Sequence, residues 1–197
     1  MCQLFETLKV QDRQIQNAAY HNARFNQTRK ELFGINDIIS LEDVIEIPDH
    51  CDDKVYKCRV IYSKEILKIE FELYKPKTIN SLKIIEVRDF DYRYKYYDRS
   101  GIEELFKLRG KCDDILVIRN GFVTDTSYAN IVFCDGNNWV TPSTPLLPGT
   151  QRNRLLSEQK IVEREIKSDD LQLFKKAKII NALNGLGQSN EINRFEY

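Results

Sequence analysis

The sequence has little with which to cross-link, tether or anchor itself. Its five cysteines (Cys2, Cys51, Cys58, Cys112, Cys134) are odd in number and include no Cys-x-x-Cys pair, which argues against a disulfide framework and fits a reducing compartment. No window approaches the about 20 consecutive apolar residues of a membrane span, and the opening MCQLFETLKV lacks the basic flank and apolar run of an export signal. The cytoplasm is the expected location, with no membrane partner. With 8 glycines and 5 prolines and no runs of either, solenoids and flexible tethers are excluded. A charge excess is also missing: 30 Lys plus Arg balance 30 Asp plus Glu, so no overall field draws the chain to nucleic acid. Tyr92-Arg93-Tyr94-Lys95-Tyr96-Tyr97 interleaves bases and rings as a single-strand platform does, but such binding wants a charged groove. Asp49-His50-Cys51-Asp52-Asp53 lacks paired ligand spacing, and no metal is expected.

What remains is enough to fold. A chain of 197 residues that is 42% hydrophobic and 11% aromatic can bury a proper core in one large or two small domains. Residues 4–10 read as a strand, and Asp12-Arg13 turns into a helix over 17–33 that Gly34 stops. His21, Arg24 and Thr28 share one stripe of that helix, and Ala18, Phe25 and Leu32 face the core. Residues 54–62 and the alternating Leu67, Ile69, Phe71 and Leu73 predict a half-buried hairpin, followed by a strand over 81–87. The composition shifts at Arg88-Asp89-Phe90-Asp91, which places a domain boundary near Asp89 and gives a small domain over 1–89 and a larger one over 90–197. The second begins with a short helix carrying Ile102, Leu105 and Phe106. A meander over 114–141 follows, turning at Asn120-Gly121 and Asp135-Gly136. Then Pro142, Pro145 and Pro148 lead to Gly149 and a helix over 150–157, whose exposed backbone N–H groups suit an anion. A strand over 161–166, a helix capped at Ser168 with Lys175, Lys176 and Lys178 near its end, and a strand over 178–180 complete the pattern. The glycines of Asn181-Ala182-Leu183-Asn184-Gly185-Leu186-Gly187 permit close approach of a ligand. Both halves are mixed α and β.

Three features ask for one explanation: a lysine among aromatics (Lys95), an acid closing a strand (Val123-Thr124-Asp125), and two loops suited to a phosphate. Alone, each has an ordinary reading as a solvated lysine, a turn acid and a surface loop. The run Gly121-Phe122-Val123-Thr124-Asp125-Thr126-Ser127-Tyr128-Ala129-Asn130-Ile131, then Trp139-Val140-Thr141-Pro142 and Leu147-Pro148-Gly149-Thr150-Gln151-Arg152, resembles the class IV aminotransferase family. Leu4-Phe5-Glu6-Thr7-Leu8, His21-x-x-Arg24-Phe25-x-x-Thr28 and Ile180-Asn181-Ala182-Leu183 match it in the family's order. The resemblance implies the α/β (α+β) two-domain architecture of fold type IV enzymes with a shortened N-terminal domain, and pyridoxal 5'-phosphate as cofactor. It also implies an amino-acid-like small-molecule substrate and a homodimer. Lys95 then corresponds to the Schiff-base lysine, Arg24 to the arginine on the phosphate, and Asp125, where the family usually has Glu, to the acid on the ring nitrogen. Gly149, Thr150 and Gln151 correspond to phosphate donors; Asn130, Asn181, Ala182 and Leu183 complete the cofactor site. Substrate candidates are Arg88, Arg93, Arg109 and Tyr97. The implied activity is transamination or elimination of the aminodeoxychorismate lyase type. The alternative is a non-catalytic binding module that keeps the fold.

Overall fold

Alternation along the first strand decides which way its side chains face. In β1 (Leu4–Gln11), Leu4, Glu6, Leu8 and Val10 share the covered face. The computed structural model describes residues 2–197. At Asp12 and Arg13 both φ angles are positive, 51° and 55°, as a two-residue hairpin turn requires, and the chain doubles back into β2 (Gln14–Gln16) before the helix starts. Helix α1 (Ala18–Phe33) ends at Gly34, with φ 70°, a left-handed stop that glycine adopts without strain. A single turn, α2 (Leu41–Val44), precedes β3 (Tyr56–Tyr62) and β4 (Ile66–Leu73). The antiparallel sheet runs β2-β1-β3-β4, and Phe25 of α1 joins Leu4, Leu8, Val10, Leu41, Cys58, Val60 and Tyr62 in its core. The predicted alternation on β4 holds only at Ile69 and Phe71. A bulge at Ile61/Tyr62 and the edge position leave Leu67 and Leu73 exposed.

The rest of the chain builds a larger sheet. Its elements are β5 (Ser81–Val87), α3 (Ser100–Lys107), β6 (Asp114–Arg119), β7 (Phe122–Thr126), β8 (Asn130–Cys134) and β9 (Trp139–Pro142). After them come α4 (Thr150–Ser157), β10 (Val162–Arg164), a 3-10 turn (Ser168–Leu173), β11 (Lys176–Ile180) and β12 (Arg194–Glu196). The strand order is β10-β9-β8-β7-β6-β5-β12, with β11 also paired to β8. Leu116 and Ile118 of β6 enter one core with Ile131, Phe133, Val140 and Ile179. The alternate residues, Ile115 and Val117, enter another with Ile102 and Leu146. A sheet covered on both faces explains why β6 is apolar almost throughout.

Two sequence expectations change here. The helix after Ser168 is only a 3-10 turn, held by Asp170 Oδ2 accepting the Lys167 N–H at 2.9 Å, and the strand expected over 178–180 begins earlier, at Lys176, as β11, where Ala177 and Ile179 alternate inward. The chain also divides differently from a single cut at Asp89. One compact unit comprises Met1–Pro76 with Tyr94–Asp98, and the other Lys77–Arg93 with Arg99–Tyr197. Strand β5 pairs with β6 and β12, so it belongs to the second unit. The Lys95 segment returns to the first, where the Phe5 N–H reaches the Lys95 carbonyl at 3.0 Å and the Tyr97 N–H reaches the Gln3 carbonyl at 2.9 Å.

Candidate active site

In the first unit, charge is buried where strand alternation would place an apolar residue. Glu6 is wholly enclosed. Its Oε1 accepts from Arg24 Nε at 2.8 Å and its Oε2 from Arg24 Nη2 at 2.7 Å, the forked geometry that makes arginine–carboxylate pairs strong. His21, one turn earlier on α1 and equally enclosed, lies 2.7 Å from Glu6 Oε2 through Nδ1. Burial alone would raise the Glu6 pKa, but Arg24 and His21 outweigh it and hold it at about 2. Burial lowers that of His21; the Glu6 carboxylate pulls it back up, and the charges of Arg24 and Lys95 push it down further. An ionised carboxylate only accepts, so the neutral imidazole carries its proton on Nδ1. The half-buried Lys95 places Nζ 4.7 Å from the centre of the Phe5 ring, a cation–π contact. The Arg59 guanidinium lies 5.5 Å from the same ring, and its Nε is a buried donor with no hydrogen-bond partner among the described residues. Tyr97 meets Phe5 edge-on at 6.4 Å.

In the second unit the meander supplies the acid. Asp125 and Asn130 pair across the β7–β8 turn, and Asn130 Nδ2 donates to Asp125 Oδ1 at 2.7 Å and to the Leu147 carbonyl at 2.9 Å. Asp125 Oδ2 accepts the N–H groups of Leu146 and Leu147 at 2.8 and 3.0 Å. Burial nevertheless dominates and pushes the carboxyl up to about 6, against the pull of Leu147, Asn130 and Leu146. Gly149 sits against Asn130 so closely that a Cβ there would lie 2.0 Å from Asn130 Oδ1. Glycine is therefore required by proximity, at an ordinary φ of −71°. Thr150 and Gln151 open α4, both buried, and Gln151 Nε2 has no hydrogen-bond partner among the described residues. Gln151 Nε2 borders Gly185, just beyond a turn in which Asn181 Oδ1 accepts the N–H groups of Leu183 and Asn184 at 2.9 and 3.0 Å.

The structure therefore gathers Asp125, Asn130, Gly149 and the Leu146–Leu147 backbone into one cluster, and Gln151 with the turn around Ala182 into its neighbourhood. Arg24 and Lys95 share the first unit. The substrate candidates are dispersed. Arg88 lines a shallow surface cavity with Glu86, Val87, Asn120 and Gly121. Arg93 is exposed and paired with Asp91 at 2.8 Å, and Arg109 caps its own helix at the Phe106 carbonyl. Glu6 and Arg59 are the charged residues that reading by motif passed over. Glu6 was detectable as the one charged residue on the Leu4, Leu8, Val10 face, whereas Arg59 gave no comparable signal. No group of three or more His, Cys, Asp or Glu residues suited to a metal occurs among the described residues, and no helix is long and apolar enough to cross a membrane.

Comparison with known proteins bears on this arrangement. The model of the family described as "Amino-transferase class IV" matches residues 3–192. An uncharacterized protein of Haemophilus influenzae is 42% identical over 188 residues, covering 94% of this chain and 100% of that protein. The crystal structure of a "putative 4-amino-4-deoxychorismate lyase" from Haemophilus somnus 129pt is 32% identical, with a TM-score of 0.88 over 94% of this chain and 98% of that one. A "putative branched-chain amino acid aminotransferase" from Thermotoga maritima shares the fold at 17% identity and a TM-score of 0.70. This chain covers 77% of that longer protein while 98% of its own residues are matched.

Proposed function

Because the chain belongs to the class IV amino-transferase family and has its fold type IV architecture, we propose that it is a pyridoxal-phosphate-dependent enzyme acting on an amino-acid-like substrate. The observation that carries this reading is Asp125: an enclosed carboxyl, held by two backbone N–H groups and an amide, with a pKa of about 6. Such an acid favours a cationic N–H partner, which a protonated pyridine nitrogen supplies. The other residues fit the same cofactor. Gln151 Nε2 is a buried donor without a partner among the described residues, at the start of a helix suited to a phosphate. The forked bond to Glu6 holds the Arg24 guanidinium in a defined plane, as a forked contact with a phosphate requires. When bound, the cofactor supplies an aldehyde for amines and a ring that takes up the electron pair of a broken α-bond.

Lys95 would then be the residue that holds the cofactor's aldehyde, and its Nζ would serve as general base toward the substrate α-proton. Its seat on the Phe5 ring restricts where that amine travels. Arg59, on the same ring with a buried Nε that has no hydrogen-bond partner among the described residues, is the preferred cation for a substrate carboxylate. Of the two outcomes, elimination of the aminodeoxychorismate lyase type is favoured over amino-group transfer by the 32% identity to the Haemophilus somnus protein across nearly the whole of both chains. The pairing of subunits as a homodimer and a cytoplasmic location are part of the same proposal.

Protein purified with pyridoxal phosphate is expected to be yellow, and borohydride to fix the label on the Lys95 peptide. Activity is then read on a panel of L- and D-amino acids with keto acids, beside aminodeoxychorismate with pyruvate release. A protein that stays colourless after adding the cofactor would instead be a binding module, and a label on another lysine would overturn the role of Lys95.

A further inference from the structure

Glu6, His21 and Arg24 form a charged, hydrogen-bonded set on a face of β1 that apolar side chains otherwise fill. Replacing a buried ion pair by apolar side chains of similar volume is often neutral or stabilising, and Leu4, Leu8 and Val10 show what the same face of β1 otherwise holds. The set is also fixed in one protonation state around neutral pH, since Glu6 stays ionised and His21 stays neutral. Its geometry grips one edge of the guanidinium, Nε and Nη2, at 2.8 and 2.7 Å. A planar fork held by one edge has a fixed plane and direction. His21 in turn steadies the carboxylate through Oε2.

We propose that Glu6, backed by His21, is a positioning residue: it fixes the Arg24 guanidinium in the orientation that receives a phosphate group, without touching that group itself. The inference rests on the reading that this protein binds pyridoxal phosphate through Arg24. Electrostatics and geometry make opposite predictions for removing the carboxylate. Deleting a negative charge near an anion site tightens phosphate binding if charge alone matters, whereas losing the fork weakens it if orientation matters.

Dissociation constants of the apoprotein for pyridoxal phosphate and for pyridoxal, read from the visible absorbance, separate these. In Glu6→Gln the phosphorylated aldehyde is expected to bind roughly tenfold more weakly, as for other groups that orient a ligating side chain, with the affinity for pyridoxal nearly unchanged. Inorganic phosphate should raise the thermal midpoint of the parent and not that of the variant. Equal or tighter binding of pyridoxal phosphate overturns the proposal, and so does an equal loss for both aldehydes, which would mark a merely structural role. If Glu6→Gln does not fold, the same ratio is read on His21→Gln, where an unchanged ratio overturns it. A parent protein that takes up neither aldehyde removes the functional reading as well. A parent that binds both, with a variant that matches it, removes this inference alone.

Discussion

Asp125 and Glu6 are both enclosed carboxyls, and their opposite environments give them opposite pH behaviour. The Asp125 pKa is raised from 3.8 to about 6 by burial, so its contribution to stability is fully present below about pH 4 and is lost as pH rises through 6. The size is roughly 3 kcal/mol. The Glu6 pKa is lowered from 4.5 to about 2, so its contribution is present above about pH 4.5 and is lost as pH falls through 2, again roughly 3 kcal/mol. With respect to these two groups the apoprotein is most stable near about pH 4. Asp125→Asn is expected to flatten the decline between about pH 4 and 6 in thermal midpoints measured against pH. An unaltered decline in the variant would show that other groups cause it. Saturating cofactor should flatten it too, because a cationic partner favours the ionised carboxyl.

At the scale of elements, the β7–β8 turn and the start of α4 depend on each other through one contact. Gly149→Ala would drive a methyl into Asn130 Oδ1, and Asn130 cannot yield without releasing Asp125 and the Leu147 carbonyl. The expected cost is roughly 1–3 kcal/mol, measured by denaturant unfolding. The same change in an Asn130→Ala background should cost less, since the obstructing atom is gone. The elements here were largely legible in the sequence. Helix α1 begins and ends where its pattern and Gly34 place it, and the meander turns at Asn120-Gly121, with φ 53° and 83°. What failed was local reading of features set by distant pairing. The lysines after Ser168 suit a helix end, but pairing with β8 drew Lys176 into β11 ahead of the expected strand, and a bulge shifted the register that would have covered Leu67. The site was legible to the extent that motifs carry it. Glu6 was quoted within a motif yet given no role, because its task appears only when α1 packs its arginine and histidine against β1.

Across the whole molecule, local stability should follow position in the sheets. Strands β6 and β8 lie between neighbours on both sides and feed the principal cores, so their amides are expected to exchange slowest with deuterated solvent. The edge strands β2, β10 and β12 each have a single partner and three residues and should exchange fastest. Equal protection along the sheet order would contradict this. The return of Tyr94–Asp98 to the first unit has a consequence for how the protein is made. Backbone bonds of Gln3 and Phe5 are completed by Tyr97 and Lys95, so the whole stretch between Phe5 and Lys95 must be translated before these two residues find their last partners. A ribosome stalled just before Tyr94 would hold a nascent chain whose first strand still waits for the segment that carries Lys95.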